Sequence, residues 1–130
     1  MDRIVTRTLV LRITLAAVFF MHSIPSIFTG AVNNFGNGYL NEAGFDPIGL
    51  PLAWMIKLSH VACAVLLILN RYIRVAAFFT IPILVAGIIM IHGAEGWYVV
   101  GAGRNGAEFN VLLISVLAYL AIINKKDVFA

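Results

Sequence analysis

The sequence predicts an all-α protein: one integral membrane domain over residues 1–130, folded as an antiparallel bundle of four transmembrane helices. Three observations predict it. Apolar stretches occupy about 9–28, 50–69, 73–91 and 107–123. Each suits a bilayer crossing, since about 20 helical residues rising about 1.5 Å apiece traverse a hydrocarbon core about 30 Å thick. The chain is 62% hydrophobic and 12% charged, with a mean hydropathy of +0.97, whereas a soluble domain carries about 25% charged residues. The charges also sort by side. Arg3, Arg7 and Arg12 precede or open the first stretch, Arg71 and Arg74 sit between the second and third, and Lys125 and Lys126 follow the fourth. The connection at 29–49 holds Glu42 and Asp46 without Lys or Arg, and that at 92–106 holds Glu95 and one Arg104. Positive residues are retained on the cytoplasmic side during insertion, so both termini are expected inside.

The first span ends near Phe28, and Pro25, which lacks a backbone donor, is expected to bend its outer end. A cleaved signal peptide is the competing reading of this segment, with Met1–Arg12 as its basic region and small residues at Thr29-Gly30-Ala31. The length of the span and the presence of His22 and Pro25 argue against it. The first connection is long, and its Asn/Gly clusters mark turns. A short interfacial helix is expected over 38–44, with Phe35, Tyr39 and Phe45 at the headgroup boundary. Asn70-Arg71-Tyr72-Ile73-Arg74 makes a tight basic turn, which forces the second and third spans into a hairpin. Pro82 predicts a kink in the third span. Ala76, Thr80, Ile83 and Gly87 form a narrow face suited to close helix contact. The third connection is glycine-rich, with Trp97 and Tyr98 as interface anchors. The one cysteine, Cys63, excludes an intrachain disulfide and reads as a small packing residue.

Ionisable residues within spans are costly and so are candidates for function. They are His22 in the first span, Lys57 and His60 in the second, His92 closing the third and Glu108 opening the fourth. Counting along the helices puts His22 and Lys57 about 5 Å outside the midplane and His60 near it. His92, Glu95, Arg104 and Glu108 belong to the outer rim. Lys57 and His60, at i and i+3, share a face with Ala53 and Ala64. Glu108, Ser115 and Tyr119 fall on one stripe of the fourth helix. With those faces inward, the bundle encloses a polar cavity opening outward, and Lys57 finds a counter-charge in Glu108 or Glu95. The structural alternatives are that Lys57 reaches the headgroups along its aliphatic stem, that His22 donates to a carbonyl freed by Pro25, and that Glu108 simply favours a helix N-terminus.

Other chemistries find little support. The three histidines form no HxxxH or HExxH pair, so no metal site is assigned, although haem ligation by His60 with His22 or His92 stays open. Gly101–Gly106 matches GxGxxG but follows a membrane helix rather than a strand, so it is not a phosphate loop. No nucleophile triad is evident, and the basic residues form a membrane-edge pattern, not a nucleic-acid surface.

The layout resembles the DoxX family of small bacterial membrane proteins. The resemblance rests on Arg12 leading to His22-Ser23-Ile24-Pro25, on Gly44-Phe45-Asp46-Pro47, on Asn70-Arg71-Tyr72-Ile73-Arg74, and on Ile91-His92-Gly93 followed by Asn105-Gly106-Ala107-Glu108. It implies a four-helix protein of the bacterial cytoplasmic (inner) membrane, linked to redox or sulfur metabolism through oxidoreductases or terminal quinol oxidases. Some relatives are treated as subunits of a thiosulfate:quinone oxidoreductase. One departure is that family members commonly carry a glutamate in the second helix, where this chain has Lys57 and His60. The leading expectation is therefore an accessory subunit of a larger, redox-associated membrane complex, with other membrane subunits as partners and a homo-oligomer as the alternative. The second expectation is a quinone- or small-molecule-binding oxidoreductase subunit, in which His60 bonds a quinone carbonyl and exchanges its proton, since histidine titrates near neutral pH. Glu108 and Lys57 then tune the site. A proton-coupled transporter is the third, disfavoured by four spans without an internal repeat.

Overall fold

The computed structural model describes residues 3–101 and 103–124, with the side chains of Ile4 and Val5 excepted. Lys125 and Lys126 lie outside the described residues. The elements are α1 (Arg3–Thr29), α2 (Ala31–Asn34, winding on through wide π-type turns over Phe35–Phe45), α3 (Gly49–Leu69), α4 (Ile73–Gly87, finishing in a π turn over Ile88–His92) and α5 (Glu108–Ile123). No strand occurs among the described residues. Three helices are long and apolar enough to cross a membrane: Thr6–Thr29, Gly49–Leu69 and Ile73–His92. The fourth, α5, has 16 residues and so spans about 24 Å. It is a shorter apolar helix of the same bundle.

The four long helices form a ring in which α1 packs on α3, α3 on α4, α4 on α5, and α5 more sparsely on α1. Each buries a stripe at helical spacing: Leu15, Ala16, Phe19 and Ser23 on α1; His60, Cys63, Ala64 and Leu67 on α3; Ile73, Ala76, Ala77, Thr80 and Leu84 on α4; Asn110, Leu113, Leu117 and Leu120 on α5. Outward positions such as Val10, Phe78, Phe79, Ile89 and Ile122 are large, apolar and exposed. That inversion of a soluble surface is what a lipid-facing exterior requires.

The ring has two unlike ends. At the hairpin end α3 stops as Asn70 takes a left-handed conformation (φ 53°) and the Arg71 amide returns to the Leu66 carbonyl. Arg12, 1% exposed, reaches across from α1 to donate to the Leu67 carbonyl at 2.8 Å and the Ile68 carbonyl at 3.4 Å, while its Nε bonds the Thr8 hydroxyl at 3.2 Å. A guanidinium is thus set on the unsatisfied carbonyls of a helix C-terminus, where both hydrogen bonding and the helix dipole favour a cation. Arg12 does more than mark topology.

At the other end, the predicted 38–44 helix is part of a longer segment, 31–45, folded down onto α3. Gly36 and Gly49 permit this: a Cβ on Gly36 would stand 2.6 Å from the Leu50 Cα. Asn41 accepts from the Gly49 amide at 3.0 Å, and the Trp54 indole donates to Asn33 at 3.0 Å. Phe35 and Phe45 pack beside Val32, Leu40 and Ala53. The third connection is fastened by Glu108, whose Oε1 accepts from the amides of Val99 (2.7 Å) and Val100 (3.0 Å). Gly106 passes so close to Trp97 that a Cβ there would lie 2.5 Å from its carbonyl.

Candidate functional site

Between these two fastened segments the helices part around a cavity of about 410 Å³. Every long element contributes a wall. α1 supplies Phe19 and His22; the 31–45 segment supplies Phe35, Tyr39, Leu40 and Phe45; α3 supplies Leu52, Met55, Ile56 and His60; α4 supplies most of its Pro82–His92 stretch, without Val85, Ile88 and Ile89; α5 supplies Asn110 and Leu113. The walls are chiefly aliphatic and aromatic, with a few polar tips from His22, Tyr39, His60, His92 and Asn110. Apolar walls carrying a few placed polar groups are the usual form of a small-molecule site.

Most of those polar tips are already engaged. The Tyr39 hydroxyl donates to the Met90 carbonyl at 3.2 Å, tying the 31–45 segment to α4. His92 Nδ1 lies 2.8 Å from the Asn105 carbonyl. Asn110 Nδ2 donates to the Leu84 carbonyl at 3.1 Å, passing a glycine, Gly87, whose Cβ would stand 3.2 Å from that same nitrogen. The His22 ring leans on Phe109, centroids 5.9 Å apart.

His60 differs. It is 8% exposed, midway along α3, with its ring 5.2 Å from that of Phe19. Neither of its ring nitrogens has a hydrogen-bond partner among the described residues. A neutral imidazole carries one donor and one acceptor, and leaving a buried polar group unpaired costs about 1–3 kcal/mol. A native interior tolerates few such groups. This one lies in a cavity wall.

The remaining sequence candidates fall elsewhere. Lys57 is half-buried beside the cavity. Its Nζ donates to the His22 carbonyl at 3.0 Å and sits 5.9 Å above the Phe35 ring, so it holds α1 to α3 and caps an aromatic face rather than meeting Glu108. Glu108 is committed to the third connection, and Glu95 and Arg104 are exposed there. Ser115 bonds the Val111 carbonyl of its own helix at 2.8 Å, and Tyr119 is 52% exposed. The stripe that α5 turns inward is Asn110, Leu113, Leu117 and Leu120. Among the described residues no three His, Cys, Asp or Glu side chains are grouped to hold a metal ion. The cavity is thus less polar than the spacing of ionisable residues suggested, and its polar groups are the histidines with Tyr39 and Asn110. Asn110 was the missed signal: an amide within an otherwise apolar helix.

In comparison with known proteins, the family model described as DoxX matches residues 7–93. No curated protein and no solved structure matches the chain. The matched stretch takes in α1 from Arg7 onward, the 31–45 segment, α3 and all of α4, so it holds the cavity walls other than Asn110 and Leu113 of α5.

Proposed function

This chain belongs to the DoxX family, and from that premise we propose that it is a quinone-binding subunit of a redox-associated membrane complex. The observation that carries the reading is His60, buried, unpartnered and set in the wall of a largely apolar cavity of about 410 Å³. A quinone ring suits that setting on two counts. Its faces match Phe19, Phe35 and the aliphatic walls, where offset aromatic contacts add to apolar burial. Its carbonyls accept the proton that an imidazole donor offers and nothing else in the described protein takes. The other imidazole nitrogen can accept a hydroxyl, so the same residue serves the quinol form. Electrons are supplied or withdrawn by a partner protein in this reading, and the chain itself binds and orients.

The accessory role is supported by how little of the described chain lies outside the helices and their short connections. Insertion with the hairpin end cytoplasmic follows from Arg3, Arg7, Arg71 and Arg74, which are exposed at that end, under the positive-inside rule. The cavity then occupies the outward half of the bundle in a bacterial inner membrane. Mild-detergent purification from native membranes, followed by mass spectrometry of co-purifying proteins and extracted lipids, tests both parts. A quinone retained near one per chain together with a stoichiometric redox partner is the expected result. A chain that runs alone without quinone refutes the proposal.

A further inference from the structure

Resting on the reading of the cavity as a quinone chamber, we propose that it opens sideways into the bilayer between α3 and α4, so that a bound ligand keeps an apolar tail among the lipids. The exposed wall residues fall into two sets. His22 and Tyr39 form a polar one: the His22 carbonyl receives the Lys57 ammonium, and the Tyr39 hydroxyl is spent on Met90. Met55 on α3, 52% exposed, and Pro82 and Ala86 on α4, both exposed, form an apolar one. A residue that both lines a cavity and faces outward stands at its mouth. Met55 lies six positions inside the start of α3, and Ala86 six positions before His92. Both are therefore about 9 Å in from the helix ends, a depth within the hydrocarbon core.

The chemistry of that mouth selects its occupant. Ala86 has no side chain beyond Cβ, whereas the more distant outward positions of α4 carry Phe78 and Phe79. Pro82 presents no N–H to the lipid. Met55 is unbranched and pliable, suited to a flexible chain of varying shape. A water-soluble ligand gains nothing from such an opening, since every group around it is apolar. A compact head joined to a single hydrocarbon or isoprenoid tail gains on both sides: the head reaches His60, and the tail leaves without desolvating a polar atom.

The test uses the full chain in lipid nanodiscs and two probes, a benzoquinone bearing a ten-carbon tail and the same ring bearing only a methyl group. Affinities are expressed per mole fraction in the lipid phase, which removes simple partitioning. The tailed probe should bind at least tenfold more tightly, and Ala86→Trp should erase most of that advantage, weakening the tailed probe at least fivefold more than the methyl-bearing one. Met55→Trp, from the opposite wall, should do the same. A tail-end diazirine should label residues 51–58 and 79–86. Equal effects of Ala86→Trp on both probes, no effect on either, or labelling of α1 around His22 overturns the lateral mouth while leaving the chamber. Failure of both probes to bind the unmodified chain overturns the chamber and the mouth together.

Discussion

At the hairpin end, Leu67, Ile73, Leu117 and Leu120 are wholly enclosed and a guanidinium closes the last carbonyls of α3. At the opposite end the same four helices diverge around about 410 Å³ and are held apart by two irregular segments pinned through glycines, asparagines and one glutamate. The ends share a composition rich in aliphatic residues, so apolar character alone does not decide which part of such a bundle closes. Residue size and the position of the polar groups do. Small residues at contacts let helix backbones approach in membranes, where association depends on packing and hydrogen bonds rather than on expulsion of water. Here Ala16, Ala64, Ala76 and Ala77 bring the helices together. Gly36 and Gly49 instead let the 31–45 segment approach α3, Gly106 lets the third connection fold back on itself at Trp97, and the space beneath stays open.

That contrast can be broken at several points, with effects of decreasing size. Leu117→Ala, at the closed end, is expected to cost about 3 kcal/mol, because the enclosed site cannot collapse to fill the void. Leu52→Ala, in the cavity wall, should cost less than half as much, since its neighbours already lack contacts on one side. Unfolding in detergent by denaturant titration compares the two; equal losses mean that the ends are packed alike. Arg12→Met is expected to destabilise by about 2–3 kcal/mol, the scale of a hydrogen bond to a charged donor together with the carbonyls left unpaired. Arg12→Lys should restore part of it.

Gly106→Ala, at the open end, forces its Cβ against the Trp97 carbonyl and should cost about 1–2 kcal/mol in overpacking. The same change should lower quinone affinity, because the third connection carries Asn105, which holds His92. Glu108→Gln removes a charged acceptor and is expected to speed amide exchange at Val99 and Val100 with little change elsewhere. Smallest of all, Ser115→Ala and Tyr119→Phe should leave stability within about 0.5 kcal/mol and leave ligand affinity untouched. A marked loss of binding in either would return the outer stripe of α5 to the site.

Much of this architecture was legible in the sequence. The stretches 50–69, 73–91 and 107–123 nearly coincide with α3, α4 with its terminal turn, and α5. α1 begins well before residue 9 because arginine and threonine continue a helix that a hydropathy reading ends at the first charge. The mid-bundle depth of His60 was also readable, since counting residues fixes depth along a helix. Facing was not. α5 is apolar nearly all round, so no amphipathic stripe tells which side turns inward, and Ser115 and Tyr119 were grouped with Glu108 although both point away from the cavity. Lys57 and His60 do share a face, yet the long stem of Lys57 carries its ammonium to a backbone carbonyl of α1. The π-type turns of 35–45 and 88–92 have no hydropathy signature at all. They set walls of the cavity: an outward-opening space was expected from the ionisable residues, whereas its mostly apolar lining had no signal in the sequence.

The most direct test of the account is a titration of the tailed benzoquinone into the nanodisc-embedded chain and its His60→Ala variant, with unfolding followed on both. Affinity at least tenfold weaker in the variant is expected, equivalent to about 1.4 kcal/mol, with a cooperative unfolding transition retained, since the imidazole nitrogens make no bond within the described protein and only the packing of the ring on Phe19 is lost. Unchanged affinity, or a variant that binds poorly only because it unfolds, contradicts it and returns His60 to the structure of the bundle.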